Sequence, residues 1–234
     1  VSVVPSSPFT KGAILGDRIR LADHFLDKDV FISSMGSRGH LGGLAGASQL
    51  AGLAMEAYGM DVILYETVGV GQGEVEVASA ADTVVLCLQP GAGDSVQALK
   101  AGVMEIADII CINKADHPQA KGTASEVRSI LEIGHELDPD APTPPIVMTR
   151  GDNGEGVEEL KQKIADHREF LQESGRMKER HLASIKEFIL SWTTNKMEKE
   201  IQERLSREDA ELMEKVRKRE LDPISAAETL YKEI

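Results

Sequence analysis

Ile109-Ile110-Cys111-Ile112-Asn113-Lys114-Ala115-Asp116 sets four apolar residues directly before a tetrad that carries an amide, an ammonium and a carboxylate. A run that short and that apolar reads as a strand buried on both faces, as in a parallel sheet covered by helices. Ligands of such sheets bind beyond the carboxyl ends of the strands, so the polar tetrad falls where chemistry is expected. Guanine offers N1–H and an exocyclic amine that one carboxylate accepts as a pair, and adenine does not. Asp116 is therefore expected to read guanine, Asn113 to tie loops together, and the Lys114 stem to cover the base. The plainer alternative is a polar turn between a strand and a helix.

Working outward, Asp61–Tyr65 and Thr83–Leu88 also read as buried strands, and Leu41–Tyr58 and Ser95–Ala107 read as helices between them. A helix near Ser125–Leu137, a Pro-rich loop over Asp138–Pro145 and a strand at Ile146–Thr149 follow. After a glycine turn, Val157, Leu160, Ile164 and Leu171 fall on one helical face. The alternation predicts an α/β fold, a parallel sheet flanked by helices, over residues 1–171. Residues 172–234 differ in texture. Leu182, Ile185, Phe188, Ile189, Trp192, Ile201 and Leu205 recur at helical spacing among Lys and Glu, which predicts a long helical arm. Asp222-Pro223 then marks the start of a last short helix, with Asp as N-cap and Pro at the first position. An amphipathic arm of this length is expected to pair with a second copy, and packing in cis is the alternative.

Three further segments suit a nucleotide. Glu66-Thr-Val-Gly69-Val-Gly71-Gln72 follows an expected strand; its carboxylate could hold Mg²⁺ through water, the Gly69 amide could sense a γ-phosphate, and Gln72 could orient a water. Gly12-Ala-Ile-Leu-Gly16-Asp17-Arg18-Ile-Arg20 places a carboxylate and two guanidiniums after a glycine turn, suited to Mg²⁺ or phosphate, or else it opens a helix. Pro90-Gly-Ala-Gly93-Asp94-Ser-Val-Gln97-Ala-Leu-Lys100 opens another helix, with Asp94 as its expected N-cap.

Other chemistries find little support. Lys and Arg total 26 against 39 Asp and Glu, a net charge of −13, which argues against a nucleic-acid partner. The apolar runs are too short to cross a bilayer, and Val1-Ser-Val-Val-Pro5 lacks the flanks of a signal peptide, so a cytoplasmic setting is expected, with an organellar matrix as the alternative. The six histidines show no paired metal spacing, no Gly-x-Ser-x-Gly elbow occurs, and Cys87 and Cys111 sit inside apolar runs, where a thiol acts as a small hydrophobe.

Taken together, Ile14-Leu-Gly-Asp-Arg-Ile-Arg20, Ser37-Arg-Gly-His-Leu-Gly-Gly43, Glu66-Thr-Val-Gly-Val-Gly-Gln72, Pro90-Gly-Ala-Gly-Asp94 and Asn113-Lys-Ala-Asp116 closely resemble the methylmalonyl-CoA mutase-associated GTPases, the MeaB/ArgK family. Leu221-Asp-Pro-Ile-Ser-Ala-Ala227 extends the similarity into the arm. The resemblance implies a homodimeric GTPase of the P-loop type that binds GTP or GDP with Mg²⁺. It also implies delivery of adenosylcobalamin to a mutase and protection of that enzyme. By the same resemblance Asp17 and Glu66 hold Mg²⁺, and the segment containing Gly93, Asp94, Gln97 and Lys100 is a third switch that couples the nucleotide to the partner. Met148-Thr149-Arg150-Gly151 stands where the family has a Ser-Ala-type base-contact loop, which makes Thr149 a base-site candidate. The family's Gly-x-x-x-x-Gly-Lys-[Ser/Thr] loop would precede residue 1, and no such string occurs in the 234 residues. Val4 also replaces the family's usual Asp. An N-terminally truncated GTPase sheet is expected, with a degenerate, non-hydrolysing interaction module as the alternative. The older family label, an amino-acid transport kinase, ranks below both.

Overall fold

Strand Ile109–Ile112 is fully buried, as its composition demands, and the surrounding architecture is built on it. The computed structural model describes residues 2–4, 21–24, 26–36, 43–67, 78, 80–91, 103–137, 142–207 and 210–232. The chain divides into two compact units, Val1–Glu187 and Phe188–Ile234.

In the first unit, β1 (Ser2–Val4), β2 (Ser34–Gly36), β3 (Glu66–Thr67), β4 (Val85–Leu88), β5 (Ile109–Ile112) and β6 (Ile146–Met148) form two parallel three-stranded sheets, ordered β2-β1-β3 and β4-β5-β6. Each pairing between these described strands is parallel, as expected from the β–α alternation. The helices of this unit are α1 (Gly43–Tyr58), α2 (Ala120–Leu137) and α3 (Val157–Glu173), followed by the start of α4 (Arg176–Arg207).

The second sheet is a sandwich of helix, sheet and helix. Leu86, Leu88, Ile110 and Ile112 point to one face and join Ala124 and Val127 of α2 in a single buried cluster. The alternate residues Ile109, Cys111 and Val147 are also buried, on the face that α3 covers with Leu171, itself 1% exposed. Burial of each such aliphatic side chain contributes roughly 1.5–3 kcal/mol, which makes β5 the anchor of the fold.

Two expectations are corrected. The strand expected at Asp61–Tyr65 is instead an irregular segment, and ladder pairing starts at Glu66, opposite Ser2. Val62 and Leu64 are 72% and 74% exposed, so the apolar run is not covered as a buried strand would be. The helix expected from Ser125 begins at Ala120, because Pro118 and the turn bonds from Gln119 N–H to His117 Nδ1 (3.2 Å) and from Ala120 N–H to the His117 carbonyl (2.9 Å) start it early. The helix expected over 95–107 lies largely outside the described residues; its end, Val103–Ile106, is a 3-10 turn. Cys87 and Cys111 do lie in strands, directly opposite each other, with Cys111 buried and Cys87 exposed.

At the amino end of β5 a polar cluster replaces the apolar core. Asp108 accepts from Val84 N–H at 2.8 Å and from Arg180 Nη1 at 2.8 Å, and His167 Nε2 lies 3.3 Å away. His167 Nδ1 meets Thr83 Oγ1 at 2.9 Å, and Arg180 also donates to the Asp82 carbonyl at 2.7 Å. Burial, reinforced by Arg180, pushes the His167 imidazole below its ordinary pKa despite the attraction of Asp108 and Asp82. The cluster pins α3 and the first turns of α4 to the starts of β4 and β5.

Gly175, at φ 75°, ends α3 and lets α4 begin at once. Within the second unit, α4 carries Phe188 stacked on Trp192, with ring centroids 6.0 Å apart. There α5 (Ala210–Arg217) packs on α6 (Pro223–Lys232), on which Ala226 and Leu230 are buried. The expected cap is in place: Asp222 Oδ1 accepts from Ile224 and Ser225 N–H, each at 3.0 Å, with Pro223 as the first helical residue. Among the described residues no helix is long and apolar enough to cross a membrane.

Candidate functional site

Because β5 and β6 run parallel and in register, their carboxyl ends deliver Asn113 and Thr149 side by side. The pairing continues past the strands, with Thr149 N–H donating to the Ile112 carbonyl at 2.9 Å and Ala115 N–H to the Thr149 carbonyl at 3.0 Å. Asn113 N–H donates across to the Leu88 carbonyl at 2.9 Å, so three adjacent strands hold the base of the loop.

Asn113 bridges two loops. Its Oδ1 accepts from Gly151 N–H at 3.0 Å and from Thr149 Oγ1 at 3.3 Å, joining the loop after β5 to the loop after β6. Thr149 is 4% exposed, and its hydroxyl also meets Cys111 Sγ at 3.2 Å. It buttresses Asn113 from below. A hydrogen bond from the Cys87 thiol favours the Cys111 thiolate against its burial, and the same thiol–thiol bond pushes Cys87 up.

Lys114 adopts φ 57°, a left-handed conformation uncommon for a side-chain-bearing residue. The turn is held by His117 N–H donating to the Lys114 carbonyl at 2.9 Å. It leaves an open cavity of about 450 Å³ bordered by Asn113, Lys114, Asp116, His117 and Gly151. The Asp116 side chain is 56% exposed, so its carboxylate is open to a ligand. A planar base with paired N–H donors would meet a carboxylate there, with the lysine stem beside it.

The far wall is the turn Arg150–Gly156. Arg150 N–H donates to the Glu155 carbonyl at 2.8 Å and Gly154 N–H to the Arg150 carbonyl at 2.9 Å, closing the loop on itself. The Arg150 guanidinium forks onto Asp152, Nε to Oδ1 at 3.3 Å and Nη2 to Oδ2 at 2.9 Å, which holds the Asp152 carboxyl below the usual range. The same guanidinium lies 3.5 Å from Asp116 Oδ1 and 3.8 Å from Glu155 Oε2. Gly156, at φ 75°, passes so close to β6 that a Cβ would lie 2.1 Å from the Met148 carbonyl oxygen.

Of the other residues singled out in the sequence, Glu66 is an exposed carboxylate at the first position of β3. Asp17, Gly69, Gln72, Gly93, Asp94, Gln97 and Lys100 lie outside the described residues. The contact of Arg150 with Asp116 was not expected. Its only sequence signal is the departure of Thr149-Arg150-Gly151 from the Ser-Ala pattern.

Comparison with known proteins bears on the whole chain. The model of the methylmalonyl-CoA mutase-associated GTPase family, MeaB, matches residues 1–206. A GTPase-named protein of Pyrococcus abyssi is 46% identical over 100% of this chain and 73% of its own length. The GTPase ArgK of Escherichia coli is 37% identical over 76% of this chain and 55% of its own. The mitochondrial methylmalonic aciduria type A homolog of Mus musculus is 31% identical over 99% of this chain and 57% of its own. Among solved structures, a LAO/AO transport system kinase aligns with a TM-score of 0.59 and 26% identity over 99% of this chain and 70% of that one. With a family match that spans residues 1–206, most of its length, the chain belongs to the methylmalonyl-CoA mutase-associated GTPase (MeaB) family.

Proposed function

We propose that this protein binds GTP and GDP with Mg²⁺ and acts as a homodimeric, nucleotide-driven chaperone that assists adenosylcobalamin delivery to a methylmalonyl-CoA-type mutase and protects that enzyme. The observation that carries the reading is the joined pair of loops at the ends of β5 and β6. Asn113 holds Gly151 and Thr149, and the exposed Asp116 faces a cavity beside them. The family description, which names a mutase association, supports the partner.

In this reading Asp116 accepts N1–H and the exocyclic amine of guanine, Lys114 lies along the base, and Asn113 keeps both loops in place. Thr149 belongs to the site as the support of Asn113. Glu66 presents a solvent-exposed hard oxygen donor at β3, the kind of group that holds a hydrated Mg²⁺, and Asp17 is its proposed companion. When bound, the ion supplies charge neutralisation on the phosphate oxygens. Gly69 senses the γ-phosphate and Gln72 orients the attacking water. Gly93, Asp94, Gln97 and Lys100 transmit the nucleotide state to the mutase.

The test is a change of base. Asp116→Asn replaces an acceptor by an amide that can donate to the 2-carbonyl of xanthine. GDP affinity measured by calorimetry should fall by more than about tenfold and XDP affinity should rise. Protection of the mutase during turnover should then require XTP in place of GTP. Unchanged guanine preference would sink the base assignment. A base switch without any effect on the mutase would leave a GTPase and remove the chaperone role.

A further inference from the structure

The Arg150 guanidinium is shared by three carboxylates, Asp116, Asp152 and Glu155. Its planar fork is already oriented by two hydrogen bonds to Asp152, at 2.9 and 3.3 Å, so the guanidinium cannot swing freely. In that fixed orientation Nε also faces Asp116 Oδ1 at 3.5 Å, while Nη1 lies 3.8 Å from Glu155. Without the guanidinium, Asp116, Asp152 and Glu155 would confront one another as three like charges around one small loop.

The geometry of a carboxylate makes this arrangement useful. Its two oxygens offer about four lone-pair sites, and a paired contact to a base uses one on each oxygen. The Arg150 contact at 3.5 Å is an ion pair on the Oδ1 side and leaves lone pairs on both oxygens for a base. An exposed Asp rotates about its χ torsions, and ordering it on binding costs entropy. A guanidinium held in place by a separate ion pair restricts that rotation before the base arrives. When the base covers the carboxylate and excludes water, the attraction between Arg150 and Asp116 strengthens.

We infer that Arg150 is a positioning residue for base recognition: it holds the Asp116 carboxylate turned toward the cavity and thereby strengthens selection of a base with paired N–H donors. The inference rests on the guanine reading of Asp116 given above. Arg150 acts through Asp116 and does not itself touch the base.

A double-mutant cycle on the full chain tests it, with GDP and XDP as probes by calorimetry. Arg150→Ala should weaken GDP binding about fivefold, the upper end for a solvent-accessible ion pair. On the Asp116→Asn background, which has no carboxylate to hold, the same change should alter XDP affinity less than about twofold. Arg150→Lys, which keeps the charge without the fork, should recover part of the loss. Asp152→Ala loosens the fork but leaves the Arg150 charge in place, so it should weaken GDP binding by less than Arg150→Ala and leave XDP affinity on the Asp116→Asn background unchanged within about twofold. Equal losses from Arg150→Ala on both backgrounds would overturn the inference, as would an Asp152→Ala loss as large as that of Arg150→Ala. If Asp116→Asn leaves the guanine-to-xanthine preference unchanged, or if the parent binds no guanine nucleotide, the base reading itself falls and takes this inference with it.

Discussion

Gly156 shows how little freedom the loop beside the Asp116 cavity has. It precedes α3 with φ 75°, and a methyl group there would sit 2.1 Å from the Met148 carbonyl oxygen. Any side chain must either move β6, whose neighbour β5 is fully buried, or abandon the left-handed conformation that turns the chain into α3. Gly156→Ala is therefore expected to destabilise the fold by about 3 kcal/mol, combining backbone strain with displacement of β6. Urea unfolding followed by circular dichroism measures it. Gly122 in α2, where a Cβ would meet nothing within 4 Å, is the control, and Ala there should be neutral or stabilising. Asn113 illustrates the opposite economy, since one side-chain oxygen receives both Gly151 and Thr149. The Asp116→Asn base switch belongs with these residues, because its outcome depends on one carboxylate and its Arg150 neighbour.

Between elements, the cluster of Asp108, His167 and Arg180 decides how α3 and the first turns of α4 attach to the sheet. The groups facing His167 are Asp108, Arg180, Asp82 and the Thr83 hydroxyl, and burial outweighs the two carboxylates in setting its protonation. In the unfolded chain this imidazole takes its proton near 6.5, while in the folded protein it does so at a lower pH. The unfolded state thus binds more protons as pH falls through and below 6.5, so the folded state loses stability there. Above that value the contribution is fully present. The expected result is a Tm that declines between pH 7.5 and 5.5, with His167→Gln showing a shallower decline than the parent. Equal slopes in the two proteins would mean that His167 does not titrate between folded and unfolded states in that range. Because Arg180 already forks onto Asp108, the carboxylate keeps a cation when His167 is neutral.

The helical arm poses the question of assembly. Ile189, Trp192 and Leu205 are 58%, 51% and 40% exposed on α4, more apolar surface than a helix facing water ordinarily displays. Such a stripe is expected to be covered by a second copy, with each arm contributing the same patch as a two-fold interface requires. Sedimentation should give a dimer for the parent chain and a monomer for Ile189→Glu combined with Trp192→Glu, without loss of helical circular dichroism. A parent that sediments as a monomer would remove the homodimer from the proposed function. The loops proposed to read the base belong to the first unit, and the double variant should leave GDP affinity unchanged within about twofold, which separates assembly from nucleotide binding.

The features legible from the amino-acid order are those whose cause lies within a few residues. Ile109–Ile112 reads as a doubly buried strand because nothing but a covered parallel strand suits so short an apolar run, and the structure has it so. The cap of α6 is equally local, since Asp222 and its partners Ile224 and Ser225 are at most three residues apart. The Asn113–Asp116 tetrad stood out because its four residues are consecutive and directly follow a strand. Other features needed the chain to be folded. A strand exists only where a neighbour offers a ladder, so the apolar run at 61–65 was a poor guide and pairing begins at Glu66. Asn113 reaches Gly151 across 38 residues, and Arg180 reaches Asp108 across 72. Arg150 meets Asp116 only because parallel strands in register bring their following loops together. Local order set which segments are buried and where a base could be read; the tertiary fold chose the partners, because hydrogen bonds and ion pairs form between groups close in space whatever their separation along the chain.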